Sequence, residues 1–187
     1  MKNIKKSDYY FESIIIISVP IFLVFSRFLL EISLLLIAFC FLINSLKKKE
    51  FLFYKNNFTL FFFIFFIILI LSYLFSEFKN ETYTILFYFR FYFYILGLSY
   101  FFIKKKKLIY YFFYSIIFII LILIVDASIQ FFSGKNILGY TNSEIHRITS
   151  FFDDEQIMGS FVAKIFVLLL FAKIIIDKSK KITHKFI

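Results

Sequence analysis

Glycine and proline are scarce in this chain, with four and one in 187 residues, and cysteine occurs once. So few glycines leave little for a Gly-rich phosphate loop, and the Gly134-Lys135 pair is no P-loop. Cys40 stands alone inside an apolar run, so an intramolecular disulfide and a Cys-based zinc site are both excluded. Only two histidines are present, His146 in a loop and His184 in a basic tail, too separated for a metal site. No acid–base dyad can be assigned from spacing, the catalytic residues stay unassigned, and neither a metal nor another cofactor is expected. Charge is thin as well, at 18% of residues.

What fills the chain instead is apolar: 61% hydrophobic, 25% aromatic, mean hydropathy +0.87. Soluble domains run about 45–50% apolar, so both an ordinary soluble domain and a disordered chain are excluded. The wealth of Phe, Ile, Lys, Tyr and Asn beside little Ala, Gly and Pro fits a codon bias toward A and T, so phenylalanine content alone signals no function.

A bilayer core of about 30 Å takes roughly 20 apolar residues as helix. Residues 58–75 and 108–125 carry no charge, 82–103 carry only Arg90, and 157–176 carry Lys164 and Lys173. These four runs are expected to span. The 33-residue run from Ile14 to Leu46 would be about 50 Å long as one helix, so it should break between Ser26-Arg27 and Glu31. Two short helices follow, about 11–25 with Pro20 inside it and 30–46. The expected class is an all-α integral membrane protein, a single polytopic segment of six spans with residues 126–156 as its outer loop.

The basic residues test that division independently. With a cytoplasmic N-terminus, sixteen of them fall inside, in the clusters at 2–6, 47–55, 104–107 and 173–185. The outer loops hold only Arg27, Lys79, Lys135 and Arg147. Five spans would put the Lys47 and Lys104 clusters on the side opposite the N-terminus, so that arrangement is rejected. The formal charge of +10 is thus accounted for by topology and anionic-lipid contact, and nucleic acid is not an expected partner. MKNIKK followed by an apolar run resembles a signal peptide, but no alanine precedes Ala38 and the small-residue cleavage site is missing. The segment is expected to stay as the first span.

The outer loop 126–156 has a net charge of −3. Its pairs Phe131-Phe132 and Phe151-Phe152 point to the interface, and residues 133–136 (SGKN) read as a turn. Asp153 with Gln156 suits a helix N-cap and capping box, with Asp154 and Glu155 complementing the dipole of the last span. Arg90 lies inside a span, where an unpaired cation is costly. It either pairs with Asp126 or Glu31 or serves function. Lys164 is expected to snorkel to the interface, and Arg27 to be a helix-end charge. Arg147 is the lone arginine of the loop 126–156, just before an aromatic-rich approach to a span. It either pairs with Glu144 or Asp154, or meets a membrane-bound anion through its planar, bidentate fork.

These residues also carry a resemblance. Asp126 and Gln130 in D-x-x-x-Q spacing, Gly134, residues 137–140 (ILGY), 147–155 (RITSFFDDE) and 158–160 (MGS) are similar to the bacterial O-antigen ligase and polymerase family. There a D-x-x-x-Q helix end precedes a short outer loop and an R-x-[ST]-[GS]-x-F-x-[DN]-E-x-x-x-G-[SA] stretch. Arg90 and the basic cytoplasmic turns also resemble the family's amino-terminal half. The motif covers about 35 residues and the span pattern the whole chain. The resemblance implies a metal-independent, multi-pass inner-membrane glycosyltransferase of lipopolysaccharide or other polysaccharide biosynthesis. It would move glycan from an undecaprenyl-pyrophosphate carrier to lipid A-core or another glycan, with Arg147, and Arg90 beside it, engaging the carrier pyrophosphate. The family continues through further spans and a large periplasmic loop with more arginine and a histidine base, which His146 does not match. The chain is therefore expected to be an amino-terminal part that is inactive alone and partnered by the missing half or another membrane protein. Two other classes remain open: a small transporter or lipid-linked glycan flippase, which the rarity of Gly- or Pro-interrupted spans disfavours, and a noncatalytic membrane assembly partner in polysaccharide export.

Overall fold

The computed structural model describes residues 9–75, 87–141, 148–152, 157–167, 169–170 and 173. They form six α-helices: α1 Tyr10–Phe25, α2 Arg27–Lys48, α3 Asn57–Phe75, α4 Phe89–Lys104, α5 Lys107–Ser133 and α6 Met158–Val167. Short 3-10 turns stand at Phe51–Tyr54 and Ser150–Phe152. Among the described residues the only extended pairing is one isolated antiparallel bridge between Lys135 and Thr141. The fold is all-helical, as the apolar runs predict. Three helices, α2, α3 and α5, with 22, 19 and 27 residues, are long and apolar enough to cross a membrane. α1 and α4 have 16 residues each, about 24 Å of helix.

Several boundaries differ from expectation. The break expected over residues 26–31 narrows to Ser26 alone, whose N–H still reaches Phe22 O at 2.9 Å. Helix-compatible residues follow it, and the Glu31 carboxylate is taken up by Arg90, so nothing stops α2 from starting at Arg27. Residues 82–86, the start of the expected fourth span, lie outside the described residues, as do 168 and most of 171–176 in the last one. α5 continues through Ser133 rather than ending at 125, so the expected outer loop loses its first eight residues to helix. The cause is chemical: Asp126 and Gln130 are both fully buried and both hydrogen-bonded by the chain that follows, so the extra turns are held.

The chain divides into two compact units, Met1–Val19 with Arg27–Ile109, and Pro20–Ser26 with Tyr110–Ile187. In the first, α2 and α4 run parallel. Arg90 meets Glu31 near both N-terminal ends, Gly97 faces Ile37 and Phe41 midway, and Lys104 meets Glu50 at the C-terminal ends. The start of α1 runs the other way: Tyr9 hydrogen-bonds Tyr100 at 3.1 Å and accepts from Lys48, and Asn44 donates to Glu12 at 3.3 Å. Ile16, Ile37, Phe41, Leu96, Tyr100 and Phe101 form the fully buried centre. Parallel neighbours need a returning crossover, and α3 supplies it, with Phe62 against Phe89 and Tyr92 and Phe66 against Phe89. Apolar on every side, α3 buries no residue in the protein, which is the composition of a helix solvated by lipid. In the second unit Val24, Ile119 and Leu123 are the buried centre, with Phe151, Phe152, Met158 and Phe161 packed on it.

Candidate functional site at the end of α5

Asp126 and Gln130 are one helical turn apart in an otherwise apolar stretch, so both project from one face of α5. A polar side chain there must find partners or lose several kcal/mol, on the order of the cost of an unmade buried hydrogen bond. The chain 19 and 20 residues later provides them: Gln130 Oε1 accepts the N–H groups of Thr149 at 3.2 Å and Ser150 at 2.7 Å, while Gln130 Nε2 donates to Thr149 Oγ1 at 3.3 Å. Asp126 Oδ2 accepts the Ser150 hydroxyl at 2.5 Å, and its Oδ1 accepts the Ile137 N–H at 2.9 Å.

Asn136 closes the knot. Its Nδ2 donates to Ser150 O at 2.8 Å and its Oδ1 accepts from Tyr140 N–H at 2.8 Å. The expected turn at 133–136 forms: Gly134 takes φ +75°, its N–H returns to Gln130 O at 2.9 Å, and Ser133 Oγ bonds the backbone of Lys135. Ser150 itself stands at φ +52°, a left-handed conformation costing a non-glycine residue about 1–2 kcal/mol. Bonds to its N–H, hydroxyl and carbonyl, from three different residues, hold it there.

The knot is a clamp and not a reactive centre. Every bond named for its side chains is made to this chain's own loop, and Asp126, Gln130, Thr149 and Ser150 are inaccessible to solvent. Beside it, an open, mostly apolar groove of about 460 Å³ is lined by Ile124, Ala127, Phe131, Phe132, Ile148 and Met158, with Ser128 its one polar residue. The clamp thus fixes Thr149 and Ser150, two and three residues beyond Arg147 in sequence. Arg147 and His146 lie outside the described residues, as do the expected helix-cap residues Asp153, Asp154, Glu155 and Gln156.

Arg90 does have a partner, and of its two expected carboxylates it is Glu31. Nη2 donates to Oε1 at 2.9 Å, and Nη1 lies 2.9 Å from Oε2 as an ion pair. Arg90 Nε is buried without a hydrogen bond, and Phe87, Tyr88 and Phe91 border an open cleft of about 290 Å³ at the same residue. Arg90 is therefore committed to Glu31, and engaging a pyrophosphate as well would require sharing or releasing that carboxylate. Asp126, the other expected partner, is spent on Ser150 and Ile137. Among the described residues no group of three or more His, Cys, Asp and Glu side chains could hold a metal.

In the sequence Asp126 and Gln130 stand out by spacing, with Asp126 a candidate partner for Arg90, and Asn136 and Ser150 fall in the 133–136 turn and the 147–155 stretch, but nothing there joins the four. An available signal was the i, i+4 pairing of two polar side chains within an apolar helix. The class defined by fold and site is an all-helical protein with three membrane-length apolar helices and a hydrogen-bonded loop clamp at the end of the longest. No family model, curated protein sequence or solved structure matches the chain.

Proposed function

We propose that this chain is an O-antigen ligase-like protein of the bacterial inner membrane, and that its loop after α5 forms part of a site for an undecaprenyl-pyrophosphate-linked glycan. The observation that carries the reading is the clamp. Residues of the D-x-x-x-Q pair bond directly to Thr149 and Ser150 of the R-x-T-S stretch, so two separated parts of the motif act as one object. A fastened backbone next to an arginine is what preorganised phosphate recognition needs, and the apolar groove beside it suits the carrier's hydrocarbon tail.

Arg147 is the residue assigned to the pyrophosphate. Its fork can bond two phosphate oxygens at once, which a lysine ammonium cannot reproduce. Losing such a charged contact costs about 1.5–3 kcal/mol, roughly one to two orders of magnitude in affinity. Binding of a lipid pyrophosphate by wild type, Arg147→Lys and Arg147→Ala, at matched membrane abundance, tests it. Both variants should bind about 10- to 100-fold more weakly. Equal binding by all three would remove the site, because an exposed ion pair with a loop acid contributes only about 0–1 kcal/mol and tolerates lysine.

A further inference from the structure

The other end of the first unit is built differently. The C-terminal ends of α2 and α4 come together there, bringing Lys47 to Lys49 beside Lys104 to Lys107, with Lys55 just beyond the intervening turn. Three of these lysines are engaged internally: Lys48 with the Tyr9 hydroxyl, Lys104 with Glu50 and Lys105 with Ser13 Oγ at 2.9 Å. Burial pushes the Glu50 carboxyl up, but its hydrogen bond to Lys104 and the nearby lysine charges outweigh that and hold it below the usual glutamate range. The local acid is thus an anion already used by one lysine.

Lys47, Lys49, Lys55, Lys106 and Lys107 are exposed and make no ion pair with another described residue. Between them the turn Phe51–Tyr54 folds back along the helix pair: the Tyr54 hydroxyl bonds Ser45 Oγ at 2.8 Å, and Phe53 packs on Tyr100 at 5.0 Å. That leaves Leu52 82% and Phe51 51% exposed on the outside of the turn. Apolar prongs flanked by exposed cations match one surface chemistry, the boundary of an anionic phospholipid leaflet, where acyl chains lie below phosphates.

We propose that the α2–α3 connection is an anionic-phospholipid site, with Phe51 and Leu52 in the acyl region and Lys47, Lys55 and Lys106 on headgroup phosphates. It rests on membrane embedding but not on the glycan-carrier reading, so either can fail alone.

The test titrates phosphatidylglycerol, phosphatidylcholine and inorganic phosphate separately into the full chain in neutral detergent, following the melting temperature at low and high salt. Phosphatidylglycerol should raise it saturably, and high salt should weaken the effect as the screening length falls from about 10 Å at 0.1 M to about 3 Å at 1 M. The Lys47→Gln, Lys55→Gln, Lys106→Gln triple variant should bind phosphatidylglycerol about 10- to 100-fold more weakly, taking roughly fivefold per lysine as the ceiling. Lys135→Gln, in the other unit, should change nothing. If the triple variant melts lower even without added lipid, the single variants Lys55→Gln and Lys106→Gln carry the comparison, each weakening binding several-fold. Equal response to phosphatidylcholine, an inorganic phosphate response equal to that of phosphatidylglycerol, or wild-type affinity in the lysine variants would overturn the proposal.

Discussion

At the scale of single residues, Gln130 has the largest consequences for its size. One amide oxygen accepts two backbone N–H groups that have no other partner named in the fold, and truncating it strands both in a buried place. Each stranded donor costs about 1–3 kcal/mol, so Gln130→Ala should destabilise the second unit by about 2–6 kcal/mol and raise proteolysis between residues 131 and 156. Gln130→Glu keeps the acceptor but gives up the donation to Thr149 and buries a second carboxylate one turn from Asp126, so it should lose at least as much. Equilibrium unfolding in detergent, with limited proteolysis of the three proteins, checks the order. If alanine unfolds and is cleaved like wild type, the backbone contacts contribute nothing and the clamp is wrongly described. Spacing made the Asp126 and Gln130 pair legible in the sequence, but not its partner, because no local rule connects a helix face to backbone 20 residues away.

At the scale of elements, six alternating spans already make α2 and α4 run in one sense, but the face along which they pack is not legible, and the reason is composition. Binary patterning needs a polar face to contrast with an apolar one, and these helices are apolar nearly all round, so the packing face leaves no periodic trace. Arg90 and Glu31 were the visible marks, and they do sit opposite one another. Gly97, visible in the sequence with Pro20 as one of the few Gly or Pro interruptions within spans, lets the helices approach. A Cβ added there would lie 3.1 Å from Ile37 Cγ2, 3.1 Å from Phe41 Cβ and 3.2 Å from Ile37 O. Ile37 and Phe41 are fully buried and the carbonyl is helix backbone, so none can yield cheaply. Gly97→Ala should therefore cost about 1–3 kcal/mol, although the same change at a free helical site gains about 0.4–1 kcal/mol. Gly159 in α6 is such a site, with nothing within 4 Å of an added Cβ. Melting of both variants against wild type measures the contrast; an equal, small effect at both positions would mean that α2 and α4 are not in close contact.

At the scale of the whole molecule, the apolar runs announced the helices because they are long and little broken by charge, although only α2, α3 and α5 reach membrane length. The boundaries that failed, at residues 26–31 and 126–133, are the two places where a polar side chain, half-exposed Glu31 or buried Asp126 and Gln130, found a partner that its neighbours in sequence do not reveal. The expected sidedness rests on a separate piece of physics, the bias of lysine and arginine toward the cytoplasm, and the helix directions bear on that expectation independently. Since α2 and α4 run parallel with α3 returning between them, their lysine-rich C-terminal ends at Lys47 and Lys104 fall at the same end of the unit. A membrane traversed by α2 would then be traversed by α4 in the same sense. Reporter fusions after Asn57, Asn80, Lys107 and Asn142 should accordingly read cytoplasmic, external, cytoplasmic and external. An external signal at Lys107 would contradict both the charge bias and the parallel pair. A cytoplasmic signal at Asn142 would put Arg147 on the wrong face for a carrier presented outside, and would remove the proposed site whatever Arg147 binds in detergent.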